Sequence, residues 1–367
     1  MFAGGGTGGH IYPNVAIVEK LAALRADLTP YFLVSDRPGD AAVLDRLGYR
    51  YARSPVRPLP RLSRPLEVAR FLWRWRQAVA AVRALLASQP IAALVATGGF
   101  VSGPAIVAAA RMGLPRALVN LDALPGRANR RLARSASQVL TVYPSAVLPT
   151  ATPIGFPLRA ASRTPGSRAE ARAALGLALE PHVPLLFVTG ATHGAESIVR
   201  MMTAWCESVE WRRSLQGWHV LHQCGALPLE PIARAYAAAG LHATVVATVA
   251  QMGCAFGAAD LAIGRAGAGT VAEAWANATP TVFLPNPYHH DQHQRHNAQP
   301  MVDAGGALVM QDRIDAPANL AATVPVIAQL LSDESRRRTM HAALLASRPS
   351  DGAAAVAAWI SAVVAAR

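Results

Sequence analysis

The 367-residue chain has little cysteine, almost no lysine and no long apolar run. Its three cysteines, Cys206, Cys224 and Cys254, are odd in number and lack a CxxC spacing. That fits reduced core thiols and excludes a disulfide framework or a cysteine zinc site. No uninterrupted apolar stretch reaches the roughly 20 residues of a membrane-spanning helix, and the first residues lack the charged-then-apolar order of a secretory signal. A cytoplasmic protein is expected. Lys20 is the sole lysine, so arginine carries the net charge of +13. Without a helix-turn-helix, zinc-finger or RNP-like pattern beside it, that charge points to anionic lipid or diphosphate rather than nucleic acid.

With 52% hydrophobic residues, the chain can bury a large core, and its length favours two domains. Short apolar runs at Tyr31–Val34, Ala92–Ala96, Ala117–Val119 and Val139–Val142 read as strands separated by helical stretches. A second series reads the same way at Leu185–Thr189, His219–Gln223, Ala243–Val246, Leu261–Ile263 and Thr281–Leu284, and Ala353–Ala366 reads as a terminal helix. The Pro-rich stretch from Leu148 to Gly166 reads as a linker. This alternation predicts an α/β protein with two Rossmann-like doubly wound domains facing a central cleft.

Four glycine-rich turns each follow an apolar strand: GGGTGGH (4–10), TGGFVSGPA (97–105), TGATHGA (189–195) and GRAGAGTVAE (264–273). A glycine-rich turn opening a helix is an anion site, because unpaired backbone N–H groups and the positive helix end point at whatever lies there. The last turn can hold a diphosphate, with Glu273 accepting both hydroxyls of a ribose; alternatively Glu273 only favours the helix N-terminus. His10, beside the first turn, can titrate around neutrality, with a helix N-terminus lowering its pKa towards the neutral, basic form, and is the leading acid-base group, unless it is a structural helix-entry histidine. Asp122, in NLDALPGRAN, is a second base, a sugar-hydroxyl acceptor or a turn residue.

The loop PNPYHHDQHQRHNA (285–298) holds four histidines. It suits either a metal, with His289, Asp291 and His293 or His296 as ligands, or a polyhydroxylated substrate; the second reading is adopted, with no metal and no cofactor. The stretch 57–86 interleaves Leu59, Leu62, Leu66, Phe71, Leu72, Trp73 and Trp75 with arginines that include Arg70, Arg74 and Arg76. That mixture suits the interface of an anionic bilayer, or an ordinary amphipathic helix with solvated arginines.

The four loops, in this order, resemble those of the bacterial glycosyltransferases that add N-acetylglucosamine to the undecaprenyl-diphosphate-linked muramyl-pentapeptide lipid of cell-wall synthesis. GGTGGHIYP, TGGFVSGPA and RAGAGTVAE are the most specific parts, and the likeness spans essentially the whole chain. The resemblance implies a GT-B fold, with UDP-N-acetylglucosamine held mainly by the second half and a lipid acceptor presented to the first half by the anionic inner leaflet of the plasma membrane, where the protein would sit peripherally. It implies an acceptor- and membrane-side domain over 1–157, a UDP-sugar domain over 158–345, and a helix in 346–367 returning to the first domain.

Carried over by position, Thr7, Gly8 and Gly9 would lie beside the sugar and diphosphate, with His10 or Asp122 as base. Arg159 matches a donor-binding arginine, and Val249 occupies the place whose backbone reads the uracil. Thr192, Ala268, Gly269, Thr270, Val271, Ala272 and Glu273 would hold the nucleotide, with Glu273 on the ribose. Gln294 and Asn297 would engage the N-acetylglucosamine.

Some positions depart from the family. VNLD (119–122) stands for a histidine-glutamate-glutamine-asparagine run, putting Asp122 in place of an asparagine. GATHGA (190–195) puts Thr192 for serine and His193 for glutamine, and His293 stands where the first of two glutamines is usual. These changes keep open a divergent paralogue with another lipid or membrane acceptor, or a non-catalytic sugar-nucleotide binder. A nicotinamide oxidoreductase is a further alternative, with Asp36 as the nearest ribose-binding acid. The family also carries a longer first strand than Met1–Ala3, so a natural start upstream is expected.

Overall fold

A computed structural model describes the chain except for residues 7, 61–62, 191–193, 290 and 367. The expectations placed on Thr7, Leu62 and Thr192 therefore lie outside the described residues, as does the His193 departure. The chain divides into two compact units, Met1–Arg159 with Ser350–Arg367, and Ala160–Pro349. Each is built on its own parallel sheet, as the alternation of apolar runs and helical stretches predicts.

In the first unit, seven strands run in the order β3-β2-β1-β4-β5-β6-β7. They are β1 (Phe2–Ala3), β2 (Tyr31–Ser35), β3 (Arg50–Ser54), β4 (Leu94–Ala96), β5 (Arg116–Asn120), β6 (Gln138–Thr141) and β7 (Thr152–Pro153). Successive strands step outward from β1 to β3, and then the chain returns to β4 on the other side of β1, so the order reverses between β1 and β4. Loops leaving two such strands diverge, which opens a crevice at their carboxyl ends. Short as it is, β1 pairs with both neighbours, Phe2 with Phe32 and Val95, and Ala3 with Leu33 and Ala96. Met1 N lies 2.7 Å from the Ala93 carbonyl oxygen.

Its helices include α1 (Gly8–Leu24), α2 (Pro38–Leu47), α3 (Pro65–Ser88), α4 (Gly99–Arg111) and α5 (Arg127–Ala133). Its core joins Ala3, Leu33, Leu94, Ala96 and Leu118 of the strands to Val79, Val82 and Leu86 of α3 and to Val101, Ala105 and Ile106 of α4. The segment read as a linker is more than that. It contributes β7 at the sheet edge, paired through Leu140 and Thr152, and it buries Ile154, Phe156 and Leu158.

The second unit carries six strands in the order β10-β9-β8-β11-β12-β13: β8 (Leu185–Thr189), β9 (His219–Gln223), β10 (His242–Val246), β11 (Leu261–Gly264), β12 (Thr281–Phe283) and β13 (Ala307–Val309). Here the order reverses between β8 and β11, so its crevice lies where the third and fourth glycine turns emerge. Its helices include α6 (Arg168–Ala174), α7 (Glu196–Glu207), α8 (Leu229–Ala238), α9 (Met252–Ala258), α10 (Ala268–Ala276), α11 (His293–Asp303), α12 (Ala316–Ser332) and α13 (Glu334–Ala346). Helix α7 shows why such segments dock. Ile198, Met201, Met202 and Trp205 recur at the helical period and are all buried, against Leu186, Val188 and the Val324, Ile327 and Leu330 stripe of α12. Its N-terminal neighbour α6 starts with a capping box, Ser167 and Glu170 each bonding the other's backbone N–H. The final helix, α14 (Gly352–Ala365), belongs to the first unit, where it packs on α1. Cys206, Cys224 and Cys254 are all free and buried, as their number and spacing predict.

Candidate active site

The first crevice is made by the loops after β1 and β4. Gly6 has φ +94 and Gly98 and Gly99 have φ +104 and +74, values that a side chain would strain. The glycines also make room: a Cβ on Gly98 would lie 3.2 Å from His10 Cε1, and one on Gly99 3.1 Å from His10 Cδ2. The imidazole thus lies against bare backbone. Its Nδ1 is 3.2 Å from the Thr97 carbonyl oxygen. A carbonyl can only accept, so Nδ1 carries the proton and Nε2 is left as the basic nitrogen. The loop is closed from the other side, because Thr97 Oγ1 donates to the His10 carbonyl at 2.8 Å.

Burial lowers the His10 pKa from its ordinary value, against the opposing pull of the Asp122 charge, the Thr97 hydrogen bond and the Asp40 charge. The positive end of α1, which begins two residues earlier at Gly8, also disfavours protonation. Gly8 and Gly9 form the first turn of that helix rather than a free loop.

Asp122 follows β5 in a turn where Asn120 Nδ2 donates to its carbonyl at 2.6 Å, and Asn129 of α5 donates to Asn120 Oδ1 at 2.9 Å. Its charge, after burial, helps push the Tyr143 hydroxyl well above its ordinary range. Asp122 is thus an electrostatic neighbour of His10, which a turn residue need not be.

Sequence reading did not single out Asp40. This buried carboxylate, in the first turn of α2, accepts from Gly6 N at 2.7 Å, Ser35 N at 3.2 Å and Ser35 Oγ at 2.5 Å. It fixes the glycine turn through the Gly6 N–H, one of the backbone donors that would otherwise be open to an anion. Arg37 donates to the Gly6 carbonyl from the same side. Arg159 stacks its guanidinium over the Tyr12 ring at 4.1 Å. Asp36 is ion-paired with Arg57 at 2.8 Å, which occupies the acid that the oxidoreductase reading needs.

The second crevice is lined by α10. Its N-cap is Gly267, with no side-chain cap, so Ala268, Gly269 and Thr270 present a small-residue helix end suited to phosphate oxygens. Val271 and Ala272 are buried behind it. Glu273 sits beyond the first turn and accepts from Ser162 Oγ at 2.8 Å, so it does not cap the helix. Asn277 pins the segment that brings Ser162 there, donating to the Ser162 carbonyl at 2.9 Å and accepting from Thr164 N at 2.7 Å. Val249 is half-buried in the loop between β10 and α9.

Arg265 braces the rim. It donates to the Leu284 carbonyl at 2.8 Å, to Asp312 at 2.6 Å and to Ser197 Oγ at 2.8 Å, linking the ends of β11 and β12 to the start of α7. In the histidine loop, Gln294 Oε1 accepts from Asn286 N at 2.8 Å and Asn297 is fully buried.

The stripe read as a bilayer face divides. Leu59, Leu66, Leu72 and Trp73 are exposed, at 63%, 76%, 51% and 60%, and Arg70, Arg74 and Arg76 are exposed beside them. Phe71 and Trp75 are only half-buried-to-solvent residues of the opposite face. Trp75 lies so close to Gly103 of α4 that a Cβ there would strike its ring, and it packs on the core. Its place in the stripe is corrected accordingly, since the core claims that ring. Among the described residues, no helix is long and apolar enough to cross a membrane.

Comparison with known proteins agrees with this geometry. The profile described as "Glycosyltransferase family 28 N-terminal domain" matches residues 1–141, and "Glycosyltransferase family 28 C-terminal domain" matches residues 185–355. The chain is 35% identical over 355 residues to a protein of Nocardioides sp. named "UDP-N-acetylglucosamine--N-acetylmuramyl-(pentapeptide) pyrophosphoryl-undecaprenol N-acetylglucosamine transferase", covering 96% of this chain and 94% of that one. A Mycolicibacterium smegmatis protein of the same name is 34% identical over 371 residues, covering 97% and 92%. Among solved structures, Acinetobacter baumannii MurG superposes with a TM-score of 0.76 at 22% identity over 99% of this chain and 98% of that one. The calicheamicin glycosyltransferase CalG4 superposes with a TM-score of 0.65 at 15% identity, over 99% and 98%. At those identities the two structures speak for the fold alone.

Proposed function

The chain belongs to glycosyltransferase family 28, and on that premise we propose that it moves N-acetylglucosamine from UDP-N-acetylglucosamine to an undecaprenyl-diphosphate-linked muramyl-pentapeptide lipid in peptidoglycan synthesis. The first unit takes the acceptor and the second takes the nucleotide sugar.

The transfer inverts the anomeric centre. His10 Nε2 removes the proton from an acceptor hydroxyl, O4 of the muramyl sugar, as that oxygen attacks the anomeric carbon. The bond from that carbon to the diphosphate breaks, and UDP leaves with the electron pair. The imidazolium so formed is stabilised by Asp122, and the charge on UDP by the α10 end at Ala268–Thr270, by Thr192 and by Arg159. Glu273 holds the ribose, the Val249 backbone reads the uracil, and Gln294 and Asn297 hold the N-acetylglucosamine. The scheme draws on no metal or cofactor.

The observation that carries this reading is the His10–Thr97 hydrogen bond. It fixes the tautomer, and burial keeps the ring neutral, which is the state a general base needs. The test is UDP release from UDP-N-acetylglucosamine in micelles, with and without the muramyl-pentapeptide lipid, beside His10→Ala. Lipid-dependent release that falls by about 10²–10⁴ in the variant supports reaction and base together. Donor binding without lipid-dependent release favours the second reading, a divergent member with another membrane acceptor or no turnover, to which the carboxylate at Asp122 and the imidazole at His293 lend themselves. The exposed leucines and Trp73 of α3 and the segment before it, with their arginines, are the surface that would rest on the anionic inner leaflet.

A further inference from the structure

The loop after β12 holds more chemistry than the transfer uses. His289, Asp291 and His293 each offer one ligand atom, and these atoms lie within 4.8 Å of one another. His293 Nδ1 is 2.8 Å from Asp291 Oδ1, and the His289 and His293 rings stand edge to face with centroids 4.4 Å apart. The backbone makes this convergence. Gln292 N donates to the His289 carbonyl at 3.0 Å, and Gln292 adopts a left-handed φ of 47, turning the chain so that the first residue of α11 comes back beside His289. His296, one turn further along the helix, lies outside the group.

Two imidazoles and one carboxylate are a donor set for Zn2+, Ni2+ or Cu2+; Mg2+ and Ca2+ prefer all-oxygen shells. The Asp291 side chain is 65% exposed and that of His293 24%, so an aqueous ion can reach the group and keep water in a fourth position.

We propose that His289, Asp291 and His293 form a three-ligand site for a borderline divalent transition-metal ion, Zn2+ foremost, and that its occupancy weakens donor binding. The coupling is local. Gln294 is the residue after His293 and already ties α11 to the loop through Asn286; an ion bridging His289 to His293 clamps the same loop a second time and limits the adjustment of Gln294 to a bound sugar. This coupling rests on the reading of the preceding subsection, whereas the metal site itself does not.

The test uses full-length, tag-free protein. Co2+ is titrated while visible d–d absorption is followed, and Zn2+ affinity is measured by competition with a chromophoric chelator. One ion per chain is expected, with His289→Ala and His293→Gln each weakening Zn2+ by at least about tenfold, the scale of losing even an outer-shell partner. Thermal unfolding confirms that both variants fold. Absence of a Co2+ spectrum, or affinity unchanged in both variants, overturns the site. For the coupling, Zn2+ should raise KM for UDP-N-acetylglucosamine severalfold with little change in kcat, and should not do so in His289→Ala. Binding without a KM effect overturns the coupling and leaves the site standing. If the protein does not use UDP-N-acetylglucosamine at all, the functional reading fails while the Co2+ spectrum still decides the site.

Discussion

His10 Nδ1 lies 3.2 Å from the carbonyl oxygen of Thr97, 87 positions away in the chain. Two loops that leave adjacent strands in opposite directions are joined there, and this bond decides which nitrogen of the ring is basic. Because burial holds the His10 pKa below its ordinary 6.5, the ring is neutral throughout the neutral range. Activity should therefore be flat near neutrality and fall only as acid protonates His10. The Asp122 charge raises that pKa, so Asp122→Asn should move the acid limb of kcat/KM to lower pH. A pH–rate profile of the variant checks this; abolished activity at every pH would make Asp122 the base instead.

Asp40 should matter more than its distance in sequence from the loop implies. Replacing it with alanine leaves the Gly6 N–H and both Ser35 donors without their shared acceptor. The expected loss is about 1–3 kcal/mol for the unsatisfied groups, measured by urea unfolding. Turnover should fall further than stability accounts for, since the glycine turn loses its anchor.

Burial sets a pH dependence of stability in the second unit. His222 is pushed down to about 4 by burial, with Nδ1 2.9 Å from the Tyr236 hydroxyl. In the unfolded chain the ring titrates near 6.5, so between these values the unfolded state binds more protons. Stability is then full above about 6.5 and falls as the pH drops towards 4, by about 3 kcal/mol in all. Denaturation midpoints across that range should show this slope, and His222→Phe should flatten it.

Membrane contact can be tested apart from catalysis. The double variant Leu66→Ser, Trp73→Ser removes two of the most exposed apolar groups of α3 without touching the core that Trp75 joins. Co-sedimentation with vesicles rich in anionic phospholipid should drop and hydrophobic-surface loss should leave thermal stability unchanged. Equal sedimentation of variant and parent would make the stripe an ordinary solvated face.

Much of the architecture was legible in the sequence, and the gaps have a common cause. Strands buried on both faces, such as β8 and β11, read as continuous apolar runs. The three that escaped, β3 with its sequence RYARS, β7 and β13, lie at sheet edges, where neither apolar run nor length is required. At the site, the glycine turns and His10 were readable because they are local. Thr97 meets His10 through its carbonyl and its hydroxyl from 87 positions away, Asp40 reaches the loop only after the sheet forms, and Arg265 gathers partners beyond the ends of β12 and β13 and at the start of α7. No pattern within a short window carries that information. The split of the α3 stripe was hidden for the same reason, since only packing on Gly103 tells Trp75 from Trp73.

The way the first unit closes has a consequence for how the protein is made. Helix α14 lies on α1, and Ser350 Oγ donates to the Ile154 carbonyl at 3.0 Å, so the partner surface of the helix that carries His10 is synthesised only after the whole of Ala160–Pro349. On the ribosome the second unit is complete, and free to fold, while the first still lacks a wall. The glycine turn that bears His10 would reach its final rigidity late in synthesis, and a chain stalled near residue 349 would hold a finished second unit and an unfinished first one.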